Sequence, residues 1–280
     1  MTTNIVHLSD VHFGTEDASV LAGLRKDLER PTSLVVISGD LTQRATAPQF
    51  KAAKRFIDEL RWPYLVVPGN HDVPLYNVFA RFLAPLDRYQ RYITNDLMPT
   101  FFNEHVAVVG VNTAHGFTDK GGKITPDVTA AACRKLAGSP AAWKILVAHH
   151  PFVIPDGVDA EAVVGAEEAL PQLDAGGVEV VMTGHLHVAH ASDEAAGFRS
   201  ADRRLIAVHA GTAISRRTRG EANGYNTIAL DNDTLSLSHR VWDGAKFVDG
   251  ASKVYKRIVR HGEVQLAKVE AKPDPATPVP

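Results

Sequence analysis

The stretch YLVVPGNHDVP, residues 64–74, decides how the rest of the chain is read. Its first four residues, aromatic, aliphatic and β-branched, favour a pleated strand, and Pro68-Gly69 stops it. Directly behind the stop stand an amide, an imidazole and a carboxylate: Asn70, His71 and Asp72. Three metal-competent side chains at the point where a buried strand ends indicate a shared site at the edge of a sheet.

Working outward, similar short apolar runs recur at 5–8, 34–37, 106–111, 145–148, 178–182, 205–208, 225–230 and 235–241. They are continuous rather than alternating, which suits strands covered on both faces. Helical patterns separate the early ones. Leu21, Leu24 and Leu28 share one helix face; Phe50, Ala53, Ile57 and Leu60 share another, opened by Thr46 and Gln49 at capping-box spacing with Pro48 close by. A third helix starts at Thr125 and Pro126, and a fourth covers about 167–174 before Gly176-Gly177. Strand, helix, strand repeated predicts an α/β fold with right-handed crossovers. The runs from Leu205 onward have shorter connections and read as antiparallel additions.

The 280 residues suffice for one large domain, taken as 1–267, followed by a loose tail at 268–280 that holds four prolines. Thirty basic residues against 32 acidic ones leave a net charge of −2, so no general attraction to nucleic acid or anionic membrane is built in. No apolar run reaches membrane-spanning length, and no signal-peptide pattern precedes residue 5, which predicts a cytoplasmic protein. Cys133 is the single cysteine, which excludes an intramolecular disulfide and a Cys-based zinc knuckle; on a helical stretch it reads as a packed core thiol.

In open α/β sheets, ligands bind beyond the carboxyl ends of the strands. Those ends read LSDVH (Asp10, His12), ISGDLT (Asp40), PGNHD (Asn70, His71, Asp72), VAHHP (His149, His150) and TGHLH (His185, His187). Singly, Asp10, Asp40 and Asn70 would read as turn or cap residues. Together with the histidines they form a donor set of carboxylate, imidazole and amide oxygen without thiolate, which suits Mn, Fe, Zn or Co. Seven or eight donors exceed the needs of one such ion. Two ions about 3.5–4 Å apart, bridged by a carboxylate, would use them, as in phosphoryl transfer. The i, i+2 spacings Asp10/His12 and His185/His187 place both members on one side of an extended segment. Gly39, Gly69 and Gly184 each precede a donor and allow sharp turns and close approach.

Other polar residues read more plainly. His7 lies inside a strand and belongs to the core, while His209 is balanced between supporting the site and a satisfied buried histidine. Asn112 and Thr113 terminate a strand and read as a turn. Arg216, Arg217 and Arg219 sit in a Gly-flanked loop where they would contact phosphate or, as preferred, stay solvated. Lys253, Lys256, Arg257 and Arg260 suggest a wet face.

Asp-x-His, Gly-Asp, Gly-Asn-His-Asp, His-His-Pro and Gly-His-x-His, in this order, resemble the calcineurin-like metallophosphoesterase family over residues 4 to about 215. Spacing and length are similar to its bacterial class III cyclic-nucleotide phosphodiesterase branch, which includes glycerophosphodiesterases. The resemblance implies a four-layer α/β/β/α sandwich with two mixed sheets and two divalent or trivalent metal ions. By that resemblance Asp10, His12 and His187 would hold the first ion, Asn70, His149 and His185 the second, and Asp40 would bridge them. It places His149 ahead of His150 as ligand, with His150 behind it or near substrate. A hydroxide would be the nucleophile. His71 would face the scissile phosphate as stabiliser or proton donor, with Asp72 orienting it. The implied substrate is a small phosphodiester, first a 3′,5′-cyclic nucleotide such as cyclic AMP, with a glycerophosphodiester or a phosphomonoester as the alternative within the family. A DNA nuclease is disfavoured by the charge of −2, and a catalytically inactive scaffold by the filled donor positions. A homodimer is left open.

Overall fold

Each buried strand divides its apolar residues between two faces, and that division builds the layers. The structure, a computed structural model, describes residues 2–76, 78–116, 121–192, 205–260 and 263–269. The first sheet contains β1 (Thr3–Leu8), β2 (Leu34–Ile37) and β3 (Tyr64–Val66), all parallel. The second contains β4 (Thr100–Phe102), β5 (Val106–Gly110), β6 (Trp143–Val147), β7 (Val180–Thr183), β8 (His190–Ser192) and β9 (Ile206–His209). Antiparallel strands β10 (Gly224–Leu230), β11 (Thr234–Trp242), β12 (Phe247–Arg260) and β13 (Glu263–Val269) complete the first sheet in the order β13-β12-β11-β10-β1-β2-β3. The second sheet runs β4-β5-β6-β7-β9-β8, parallel from β5 to β9 with antiparallel edges.

Ile5, Leu34 and Val36 point into the space between the sheets, where they meet Val108, Ile145, Val147 and Met182. Their neighbours Val6, Val35 and Ile37 point outward onto helices α1 (Ala18–Asp27) and α2 (Ala47–Asp58). On the far side, Ala107, Val109 and Leu146 pack under α5 (Pro126–Ala137) and α6 (Ala166–Ala175). The result is the four-layer α/β/β/α sandwich. Each fully buried Val, Leu or Ile contributes about 1.5–3 kcal/mol of transfer free energy, and the alternation commits a strand to both cores at once.

The expected starts of α2 and α5 are present, and α1 has a cap that the sequence reading did not name. Asp17 Oδ1 accepts from the Ser19 and Val20 amides to cap α1, Gln49 Oε1 reaches back to the Arg44 and Thr46 amides at α2, and Thr125 caps α5. Two six-residue helices, α3 (Val78–Leu83) and α4 (Asp87–Tyr92), are too short to announce themselves by periodicity. The edge strands β4 and β8 are equally short, and β12 and β13 were hidden by their charge. The basic spacing taken for a wet face belongs to β12, where Tyr255 is buried and Arg257 Nε binds Glu179 Oε1 at 2.7 Å. Strand pairing also carries the domain past residue 267: Lys268 and Val269 pair with Tyr255 and Val254. Residues 270–280 of the expected tail lie outside the described residues. Cys133 is partly buried and packs against the outer core, its thiol 3.5 Å from the Gln172 carbonyl where α5 meets α6.

Candidate metal centre

Five strands end on one rim. Beyond β1 lie Asp10 and His12, beyond β2 Asp40, and beyond β3 a single 3-10 turn formed by Asn70–Asp72; beyond β6 and β7 lie His149 and His150, then His185 and His187. The structure brings all of these loops together. His12 Nε2 and His187 Nε2 lie 3.6 and 3.5 Å from Asp10 Oδ1. His149 Nε2 is 3.2 Å and His185 Nδ1 3.1 Å from Asn70 Oδ1. Asp40 faces both groups, with Oδ2 at 3.6 Å from His12 Nε2 and Oδ1 at 3.4 Å from His149 Nε2. Donor atoms of Asp10, His12 and His187 lie mutually within 4.8 Å, as do those of Asp10, Asp40 and His149, and of His149, His150 and His185.

The backbone that achieves this is not extended, contrary to the expectation from i, i+2 spacing. Asp10, His12, Asp40, His185 and His187 have φ of 51°, 45°, 52°, 70° and 60°. Left-handed conformations cost non-glycine residues about 1–2 kcal/mol each, and strain of this kind concentrates at functional sites. Cross-loop bonds hold it: the Asp10 amide donates to the Gly39 carbonyl (3.2 Å) and the His12 amide to the Asp40 carbonyl (2.9 Å). Gly39 itself is left-handed, φ 98°. Gly69 and Gly184 act by size instead, since a Cβ would overlap the Asp40 carboxylate or the Ser9 hydroxyl.

The residues fit metal ions. Asp10 Oδ1, His12 Nε2 and Asp40 Oδ2 are buried and have no hydrogen-bond partner among the described residues, a costly arrangement unless something else satisfies them. Tautomers agree. His149 Nδ1 meets the Ser38 carbonyl at 2.8 Å and His12 Nδ1 the Thr42 carbonyl at 3.4 Å. A carbonyl only accepts, so both Nδ1 atoms carry the proton and both Nε2 lone pairs face inward. Thr212 Oγ1 donates to the Arg217 carbonyl (3.3 Å), so it accepts from His187 Nδ1 (2.7 Å), with the same consequence.

Electrostatics point the same way. Burial works to raise the Asp10 and Asp40 carboxyls, yet the surrounding imidazoles hold both below the usual carboxylate range. Burial works to lower His149, but the adjacent Asp40 carboxylate lifts it to about 9. His185 drops to about 4 through burial and the neighbouring His149. The carboxylates thus create a field that a proton or a cation satisfies.

One expectation is overturned. Asp72 does not orient His71: its carboxylate accepts from the Leu41 amide (3.1 Å), the Thr42 amide (2.9 Å), the Thr42 hydroxyl (3.0 Å) and the Gly69 amide (3.0 Å). Fully buried beneath the rim, it clamps the Asp40 loop to the 3-10 turn, and burial with the nearby Asp40 charge raises it to about 6. His71 is oriented instead by the Gln43 carbonyl, 2.9 Å from Nδ1. Backbone carbonyls carry no side-chain signature, so this partner was invisible in the sequence. His150 Nδ1 contacts Thr113 Oγ1 at 2.8 Å, which gives Thr113 a place beneath the site, whereas the Asn112 side chain bonds to the Ala114 backbone as a plain turn. His7 is buried against Ser38 Oγ (2.8 Å), and His209 Nδ1 meets Thr183 Oγ1 (2.7 Å) at the end of β7. Arg217 is exposed, as expected, and in addition donates to His71 Nε2 at 3.1 Å.

Residues 3–189 match the calcineurin-like phosphoesterase family profile. Over 95 residues the chain is 32% identical to the glycerophosphodiester phosphodiesterase GpdQ of Enterobacter lignolyticus, a match covering 29% of this chain and 33% of that protein. Over 250 residues it is 22% identical to a probable cyclic nucleotide phosphodiesterase of Vesicomyosocius okutanii, covering 85% of this chain and 98% of the relative. Among solved structures, PhoD superposes with a TM-score of 0.68 at 14% identity, over 98% of this chain and 73% of that one. A purple acid phosphatase from yellow lupin seeds superposes with a TM-score of 0.64, also at 14% identity, over 91% of this chain and 53% of that one. These two likenesses are of fold. Because the family profile spans well over half of the residues and takes in the donors from Asp10 to His187, the chain belongs to the calcineurin-like phosphoesterase family.

Proposed function

We propose that this chain is a dinuclear metal-dependent phosphodiesterase acting on a small phosphodiester, with a 3′,5′-cyclic nucleotide as first substrate and a glycerophosphodiester as second. The observation that carries the metal assignment is the convergence of buried Asp10 Oδ1, His12 Nε2 and Asp40 Oδ2, none of which has a hydrogen-bond partner among the described residues. Asp10, His12 and His187 would hold one ion, and Asn70, His149 and His185 the other. Asp40 would serve both, an assignment supported by its two oxygens facing different histidines. Ions held there would supply polarisation of a phosphoryl oxygen and a water acidic enough to attack near neutral pH.

The protein's own part is positioning and proton handling. His71 is fixed by the Gln43 carbonyl so that Nε2 points to the rim, where, once protonated at Nε2, it would stabilise the phosphate or pass that proton to the departing oxygen, a step worth roughly 10²–10⁴-fold. Its amide donates to Asp40 Oδ1 at 2.9 Å, tying the ring's position to the carboxylate between the two donor groups. The preference for diesters draws on the names of the two relatives. No helix among the described residues is long and apolar enough to cross a membrane, and a cytoplasmic location forms part of the proposal.

The test is a substrate panel on Mn-loaded protein. Bis-para-nitrophenyl phosphate should be hydrolysed faster than the monoester, and cyclic AMP faster than glycerophosphocholine. Faster monoester turnover would remove the diester assignment, and absence of turnover on every ester with both ions bound would favour a binding scaffold.

A further inference from the structure

The loop after β9 carries three arginines past the rim, and their surroundings differ. Arg216 lies on the exposed outer side with Nε 3.5 Å from Asp17. Arg217 turns inward: its Nη1 is 3.1 Å from His71 Nε2 and 3.3 Å from Gln43 Oε1. Since His71 Nδ1 donates to the Gln43 carbonyl, Nε2 offers its lone pair and the guanidinium donates to it.

This placement is built into the loop. The Arg217 amide donates to Ser215 Oγ (3.1 Å), and that hydroxyl meets Thr15 Oγ1 (2.9 Å), which in turn bonds to the His12 carbonyl (3.1 Å). The Arg217 carbonyl accepts from Thr212 Oγ1, the group that fixes His187 Nδ1. Both ends of the residue are therefore strapped to loops that carry donors. Only Nη1 is engaged; Nε and Nη2 have no partner among the described residues, and the side chain is exposed. A guanidinium held against a neutral ring rather than a carboxylate, with two donor groups unused, is a cation awaiting an anion. Its planar fork matches phosphate oxygens.

With the phosphodiester chemistry proposed above as its premise, we propose that Arg217 is a substrate-binding residue whose guanidinium takes one nonbridging oxygen of the substrate phosphate. A phosphodiester has two such oxygens, one for the ion side of the rim and one for Arg217. Engagement by phosphate draws the guanidinium off His71 Nε2, and that nitrogen is then free to take up a proton from water and face the ester oxygen with it.

The experiment compares R217A, R217K and R216A as Mn-loaded proteins, with ion content measured for each. Readouts are steady-state kinetics on bis-para-nitrophenyl phosphate and calorimetric binding of inorganic phosphate. R217A should raise KM and weaken phosphate binding by roughly tenfold or more with both ions retained, R217K should lie between, and added guanidinium ion should restore part of the loss. R216A should behave as the parent. Phosphate binding within about twofold of the parent in R217A, or equal losses in R216A and R217A, would overturn the assignment. If the parent binds phosphate but hydrolyses no ester, the hydrolase proposal fails, and phosphate affinity alone decides the role of Arg217.

Discussion

The two sheets bring different chemistry to the shared rim. The first supplies both carboxylates and the amide, Asp10, Asp40 and Asn70, together with His12 and His71; the second supplies imidazoles only, His149, His150, His185 and His187. The anionic half is steadied by backbone amides, from His71 to Asp40 and from His185 to Asp10. The imidazole half is steadied by acceptors behind its rings, such as the Ser38 carbonyl behind His149. Neither half is self-sufficient. Carboxylates gathered alone would repel one another, and buried imidazoles alone lack the charge to hold a cation. The centre therefore arises where the sheets pack, and several of its bonds cross from one sheet to the other.

The largest expected effect comes from breaking the junction. Asp40→Ala removes the group that faces both halves and should lower turnover by roughly 10³-fold or more with loss of at least one ion by metal analysis. His71→Ala, which stays outside the donor set, should keep both ions and lose about 10²-fold. Near-normal activity in the Asp40 variant would show that the halves work independently.

A smaller effect should follow from pushing the halves apart. In Gly184→Ala the new methyl group of the second sheet's loop overlaps Ser9 and crowds Asp10 of the first. The expected cost is about 1–3 kcal/mol in urea unfolding, with weaker Mn binding. An unchanged midpoint would mean that the loops yield freely.

The smallest effect concerns protons beneath the rim, where His7 of the first sheet lies near His209 of the second. Burial and the neighbouring His209 lower His7 from 6.5 to about 3. A folded value below the unfolded one means that the unfolded chain takes up the proton first, so stability present at neutral pH is lost as pH falls from about 6.5 toward 3. Between pH 6.5 and 4.5 His7 should account for roughly 2 kcal/mol of that loss. In metal-free protein, His7→Gln should flatten the pH dependence of unfolding by that amount; parallel curves would exclude His7.

Much of this was legible in advance because it is written locally. Apolar runs closed by Pro or Gly mark the central strands, and Thr46 with Gln49, or Thr125 with Pro126, mark helix starts by contacts within one turn. The edge strands and α3 and α4 left no such trace, being too short for a period to develop. In β12 the alternation was masked because Lys253 and Arg257 interrupt its apolar residues.

The sequence by itself determined which chemical groups stand at the strand ends, since the run, the stop and the donor behind it occupy a few consecutive residues. Only the tertiary structure decided which atom faces which. Asp72 clamps the loop of residues 41 and 42 instead of His71, the Gln43 carbonyl fixes the imidazole, and Arg217 meets His71 across 146 positions of chain. Hydrogen bonds act over about 3 Å between groups brought together by packing, and no local pattern encodes that proximity.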